Sequence, residues 1–366
     1  MGRHSIYLLY VYYLVVPLVS ILSIIVSFFA LMPPREIVIL AGPEEGYFAN
    51  VATTISKELA SFGIIAQIEH IEDTTHIIGK LNSANKEGPH LGFVAHDLSA
   101  TPTDGVFSLG MISLEPLWLF APANSDTRNI RDLKGKVVSI GPEGSGVRAL
   151  SQEILGLYGI VEANTKFLDY GIMDSTSALG EKRINAAFFL ESANTSVIEQ
   201  LNSRTDLQLI GIDEAEALSH KINHLERVVI PKGAFNVRDL RPPNNVETLA
   251  LPVTVITSKG AGDTLSALVA NILRENYAWE TLFTKDYELP SFVYHELEPH
   301  PAAKDLYESG LPYWVDIFGT RYGLMISYAA HPIVFVFLTA VVIFGLVITY
   351  AEIVPVLISV RDLFRR

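Results

Sequence analysis

Two long stretches without a charged side chain bracket this sequence, and they constrain its folding more than anything between them. The first runs from Ser5 to Met32, and the second from Pro332 to Tyr350, continuing past Glu352 to Val360. A helix crosses a bilayer with about 20 apolar residues, so each run is long enough to span. The sequence therefore predicts an N-terminal transmembrane helix over 5–32 and a C-terminal one over 332–358. Tyr7, Tyr10, Tyr12 and Tyr13 suit the headgroup level beside Arg3. The first run is longer than the roughly 7–15-residue core of a signal peptide, which favours a retained anchor. Arg3 precedes the first run, and Arg361, Arg365 and Arg366 follow the second. Basic flanks mark the cytoplasmic side, so both termini are expected there, with residues 33 to about 325 outside. That predicts a bacterial inner-membrane protein with a periplasmic globular domain, in contact with the lipid bilayer.

The enclosed part is long enough to bury a full core, and at 366 residues the chain calls for about two domains. Forty acidic against 27 basic residues give a net charge of -13, and no basic run is interleaved with aromatics. Nucleic acid is therefore not expected as a partner. The absence of cysteine excludes disulfides, thiolate nucleophiles and Cys-ligated metal.

Short apolar runs alternate with helix-period stretches through this part. Arg35 to Gly42 reads as a strand ending in glycine, and Ala49 to Phe62 as a helix with Val51, Ile55, Leu59 and Phe62 on one side. Ile64 to Ile71 and Leu91 to Ala95 read as strands, and Met111 to Phe120 as a further extended segment. Lys136 to Gly141, Ala186 to Leu190 and Leu207 to Gly211 repeat the pattern. This alternation predicts α/β structure with a largely parallel sheet. Two lobes are expected: 35–121 with 230–310, and 122–229. The segment 311–330, with Trp314, Phe318, Arg321 and Tyr322, is expected beside the membrane.

Two strand-to-helix loops carry the strongest local signals. Gly141-Pro142-Glu143-Gly144-Ser145-Gly146 lets the backbone approach a ligand, and Ser145 with the first helical N–H groups suits a carboxylate or phosphate oxygen. Glycine used only for turn geometry is the alternative. The loop lacks dinucleotide-fingerprint spacing and the GK[ST] phosphate signature, so no cofactor is expected. Gly42-Pro43-Glu44-Glu45-Gly46-Tyr47 stands at the equivalent position of the first lobe. There Tyr47 suits a cleft; the two acids oppose an incoming anion unless they face away and leave room for a cationic or zwitterionic ligand, with ordinary helix-start decoration as the alternative. Polar groups also follow two strands, at His96-Asp97 and at Glu191-Ser192-Ala193-Asn194. No nucleophile elbow supports catalysis by His96 and Asp97, and His220 with His224 lacks a third ligand. Neither an enzyme nor a metal site is expected.

These pieces, with Leu91-Gly92-Phe93-Val94-Ala95-His96-Asp97, Leu133 through Gly146, Ala178 through Phe189 and His300-Pro301-Ala302-Ala303, resemble the TAXI family of solute receptors that serve tripartite TRAP transporters. The resemblance runs from about Ile37 to Gly310. It implies a two-lobe periplasmic-binding-protein-like fold that closes on a small polar solute, an organic acid or amino acid, and delivers it to a membrane permease. It further implies Tyr47, Asp97, Ser145, Gly146, Phe189, Ser192 and Asn194 as ligand-binding residues, with Gly42, Gly46, Gly141 and Gly144 shaping the loops. The acids at Glu44 and Glu45 depart from the family's small-residue loop. The alternative expectation is a non-catalytic accessory subunit of another membrane complex, with an altered or empty cleft.

Overall fold

Ile37, Val38, Ile39 and Leu40 make a branched apolar run suited to a strand covered on both sides. In the structure, a computed structural model, this run forms β1 (Glu36–Ala41), with Ile37, Ile39 and Leu40 buried. The structure describes residues 18, 32–42, 44, 46–71, 76–84, 88–95, 102–222, 224–292, 297–329 and 345. After β1 comes α1 (Tyr47–Ser61), which buries Val51, Ala52, Ile55 and Leu59 along one stripe. It stops at Gly63, whose φ of 72° is the left-handed conformation that glycine adopts without cost. There the Gly63 and Ile64 N–H groups donate to the carbonyls of Ala60 and Leu59 at 3.0 and 3.1 Å.

The chain then forms β2 (Ile65–His70), α2 (Ile77–Asn82), β3 (Leu91–Val94) and the long β4 (Val106–Pro122). A second α/β series follows: β5 (Val137–Ser139), α3 (Gly146–Leu157), β6 (Lys166–Leu168), α4 (Ile172–Gly180), β7 (Ala186–Leu190), α5 (Ser196–Ser203), β8 (Leu207–Ile210) and α6 (Ala215–Ser219). The return is made by β9 (Glu226–Ile230) and β10 (Val246–Ser258), and α7 (Gly262–Tyr277), α8 (Pro301–Ser309) and α9 (Tyr313–Ala329) complete the order.

Two sheets result, and β4 belongs to both. Its first part pairs antiparallel with β10 from Val106 to Pro116, in a sheet ordered β2-β1-β3-β10-β4. From Leu117 to Pro122 the same strand pairs with β7 and β8, beside β5 and β6. β1, β2 and β3 are parallel, as are β5, β6 and β7, whereas β4 and β10 run against their neighbours. The expected α/β alternation is thus present, with two antiparallel strands inside it, of which β4 crosses between the sheets. One core packs Leu40, Ile77, Ile78, Leu81, Val94 and Ile256 together. Another gathers Trp118, Phe120, Leu179, Phe189, Ile198 and Leu201. The result is a two-lobed α/β architecture in which β4 is common to both sheets.

The membrane part of the expected architecture is corrected. Among the described residues, no helix is long and apolar enough to cross a membrane. The helix nearest the second run, α9, has 17 residues, carries Asp316 and Arg321, and is broken at Gly319, where φ is 75° and ψ is 165°. A span needs about 20 unbroken apolar residues, and α9 has neither the length nor the continuity. The runs 5–32 and 332–358 lie outside the described residues apart from single positions. Transmembrane helices at the two ends, the topology with both termini in the cytoplasm and the inner-membrane location are accordingly not supported.

Candidate functional site

The two strand-to-helix loops differ in how they use their polar groups. Between β5 and α3, Gly141 has a φ of 93° and Gly144 a φ of 77°. A Cβ on Gly141 would lie 2.3 Å from Val147 Cγ1, so only glycine fits. Ser145 caps α3: its hydroxyl donates to the Pro142 carbonyl at 2.6 Å and accepts the Arg148 N–H at 3.3 Å. The Arg148 guanidinium then donates to the Gly141 carbonyl at 3.3 Å. The single proton of Ser145 is spent inside its own turn, and Gly146 follows as the first residue of the helix.

Between β1 and α1 the cap is Gly46, with extended backbone and no side-chain hydrogen bond to the helix start. The first-turn N–H groups of α1 therefore lack the cap that Ser145 gives α3. Gly42 is buried, with its carbonyl 2.9 Å from His70 Nδ1. Tyr47 opens the helix, and burial pushes its phenol well above the usual range. The Ser113 hydroxyl lies beside it as a hydrogen-bond partner, and Tyr277 and Glu115 are close enough for their charges to act on it. Tyr277 is itself raised by burial, with Thr54 of α1 as its partner.

Glu115 is the unusual member of this group. It sits on β4 with 5% of its surface exposed, between neighbours that are almost all apolar. Burial first, and the charge of Glu191 second, push its carboxyl well above the usual carboxylate range. Glu191 follows directly after β7, and burial pushes it up to about 7. Its backbone is fixed by the Trp118 indole, which donates to the Glu191 carbonyl at 2.8 Å. Among the described residues no basic side chain pairs with either acid. Ser113 and Glu115 are two apart on β4, opposite Val253 and Leu251 of β10, and so share one face of the strand. One buried carboxylate, Glu115, thus stands near Tyr47, and the half-buried Glu191 after β7 is close enough for its charge to act on Glu115, with no basic side chain pairing either among the described residues.

The residues expected from sequence fall in several places. Tyr47 joins the buried acidic group, whereas Ser145 and Gly146 stand at their own helix start. Phe189 is buried to 2% in a core, edge to face with Phe120 at 6.0 Å. Ser192 is half-buried, and its carbonyl accepts from the N–H and hydroxyl of Thr195 at 3.2 and 3.0 Å. Asn194 is exposed and lines a cavity of about 320 Å³ with Phe235 and Leu282. Asp97, with His96, lies outside the described residues. His220 pairs with Glu216 at 3.1 Å, one helical turn away. Among the described residues no group of three His, Cys, Asp or Glu side chains gathers as a metal site. Sequence reading missed Ser113, Glu115 and Tyr277, and noted Glu191 only as part of a polar strand end, without a ligand role. A signal for Glu115 existed: it is the single charge in the run from Val106 to Pro122.

The NMT1-like family matches residues 40–292. This corrects the resemblance to TAXI receptors of TRAP transporters. Several motifs behind that resemblance are general folding devices: Gly141 and Ser145 make a turn and a cap, and His300-Pro301-Ala302-Ala303 is the start of α8, with proline in the first helical position. Among solved structures, the chain is similar to the periplasmic aliphatic sulphonate binding protein SsuA of Escherichia coli, at 11% identity and a TM-score of 0.43, covering 84% of each chain. It is also similar to an ancestral arginine-binding protein bound to arginine, at 14% identity and a TM-score of 0.41, covering 66% of this chain and 92% of that one. A third similarity is to the BenM effector binding domain with benzoate, at 10% identity and a TM-score of 0.45, covering 68% and 95%. With well over half of its 366 residues matched, the chain belongs to the NMT1-like family and is a two-lobed, non-catalytic solute-binding protein for a small organic molecule.

Proposed function

We propose that the solute carries a protonated amine, an amino acid in the simplest case, and that it binds where Tyr47, Ser113, Glu115 and Glu191 converge. The observation that supports this reading is the buried Glu115, with the charge of the half-buried Glu191 acting on it and no basic partner for either among the described residues. Burying one ionised carboxylate costs several kcal/mol unless it is paired, and two adjacent ones raise the cost further. A ligand ammonium supplies the missing charge, and a bare organic anion makes the repulsion worse. The uncapped first turn of α1, next to Tyr47, suits the carboxylate of the same zwitterion.

In this reading the empty cleft holds a proton on the acidic pair, and the incoming ammonium displaces it. The solute touches β4 through Glu115 and the end of β7 through Glu191, so binding draws together groups from both sheets. A membrane transport protein is the partner we propose for the loaded receptor. Isothermal titration with a panel of amino acids tests the assignment. At least one should bind, and Glu115→Gln should weaken it about 100-fold, as expected when one member of a buried charge pair is lost. A ligand that binds the Glu115→Gln protein as tightly as the wild type overturns this placement.

A further inference from the structure

We propose that β9 takes up an extended peptide of a partner protein as an added strand, and that this peptide carries a basic and an apolar side chain two residues apart. The surface is independent of the amine site. β9 pairs antiparallel with β10 along one edge, from Ala250 opposite Glu226 to Val246 opposite Ile230. Among the described residues, no strand lies along its other edge. In an antiparallel ladder, alternate residues turn their N–H and C=O groups away from the partner strand. Those of β9 meet no other group among the described residues. A free edge of this kind is a template for another chain.

A cavity of about 350 Å³ opens at this edge, and Glu226, Arg227, Val228 and Val229 all line it. Successive side chains of a strand point to opposite faces, so a cavity that touches four in a row reaches round the edge. Met111 and Phe283 add apolar walls. Charge then selects the peptide. Arg227 is neutralised, because its guanidinium forks onto Glu247 at 2.9 and 2.8 Å and reaches Glu216 at 3.3 Å. Glu288 accepts the Lys285 N–H at 2.7 Å, and the Thr284 hydroxyl is 2.6 Å from that of Thr281. The half-buried Glu226 carboxylate makes no hydrogen bond or ion pair among the described residues, in a chain of net charge -13. It shares its face of β9 with the buried Val228. A strand laid beside β9 sets its side chains in the same two rows. A basic residue opposite Glu226 therefore comes with an apolar one opposite Val228, in the cavity that Phe283 lines. The residue between them falls on the face of the satisfied Arg227 and needs no charge.

Fluorescence anisotropy on the full-length protein tests the surface, with labelled Ser-Lys-Thr-Leu-Thr-Ser and its reversed sequence as probes, since a strand can add in either direction. At least one should bind saturably, and glutamate in place of its lysine should abolish binding. Methylating one alternate set of its backbone nitrogens should weaken it at least tenfold, the worth of a lost hydrogen bond, and methylating the other set should be tolerated. Glu226→Gln should weaken the lysine peptide about fivefold, as for a partly exposed ion pair, and leave its glutamine counterpart unchanged. Absence of saturable binding by either peptide overturns the proposal. So does equal tolerance of the two methylated sets, or binding indifferent to Glu226→Gln. Full displacement of the peptide by lysine amide, which makes the cavity a small-amine site, overturns it too.

Discussion

The helices α1 and α3 end alike and begin differently. Each stops at a glycine in the left-handed conformation, Gly63 and Gly159, with φ values of 72° and 67°. Each then docks a buried isoleucine, Ile64 or Ile160, whose N–H reaches back to a leucine carbonyl, at 3.1 and 2.9 Å. At the start, α3 is closed by Ser145, which spends its hydroxyl on its own turn, whereas α1 starts from Gly46 with Tyr47 near the buried Glu115. The same scaffold therefore serves two ends: one loop is satisfied internally, and the other is the one we propose to leave its polar groups to a solute.

The largest effect expected from this contrast is structural and falls on the closed loop. Gly141→Val places a side chain against Val147 in a backbone conformation that valine resists, and should cost about 4 kcal/mol of stability in chemical denaturation. At Gly159 nothing lies within 4 Å of an added Cβ, so Gly159→Ala should cost only about 1 kcal/mol, the price of the left-handed backbone alone.

The second effect belongs to the acid after β7 and is read as pH dependence. Glu191 goes from an ordinary 4.5 to about 7 in the folded protein. Below pH 4.5 it is protonated in both states and brings no penalty. Between pH 4.5 and 7 the unfolded chain releases the proton first, so stability falls as pH rises, by about 3 kcal/mol across the window. Thermal melts of the solute-free protein should show this fall, Glu191→Gln should flatten it, and the bound amine should offset it.

Smaller changes separate the two helix starts. Tyr47→Phe should lower solute affinity about tenfold while leaving the melting temperature nearly unchanged, since one hydrogen bond is removed and the apolar packing is kept. Ser145→Ala should do the reverse, costing about 1 kcal/mol of stability with solute affinity unchanged. If the serine variant lost affinity and kept its stability, the contrast between the loops would be inverted.

The fold was legible where periodicity is strong. Ile37–Leu40 and the Val51, Ile55, Leu59 stripe announce a strand and a helix, because one is buried on both sides and the other on a single face. The crossing of β4 was less legible. A strand that passes from one sheet to another keeps running through the hand-over, here between Pro116 and Leu117, and the proline alone marks the change of partner. The site was read only in part. Ser145 uses the same residue type for capping as for ligand binding, and sequence cannot tell where its proton goes. Tyr47, a member of the proposed site, is singled out by its loop, but its neighbours Ser113 and Tyr277 come from distant segments. Glu115 was hidden by its apolar neighbours, although a lone carboxylate in a buried strand is itself a mark of a site.

The central claim is that the buried acids of the first lobe and of β7 receive an ammonium group. Its most direct test is calorimetric titration at pH 6 with amino acids and their desamino counterparts, repeated in buffers of different ionisation enthalpy. The account predicts binding only by compounds that keep the amine, with proton release on binding that disappears in Glu191→Gln. Equal affinity for a desamino acid, with no protons released, would contradict it.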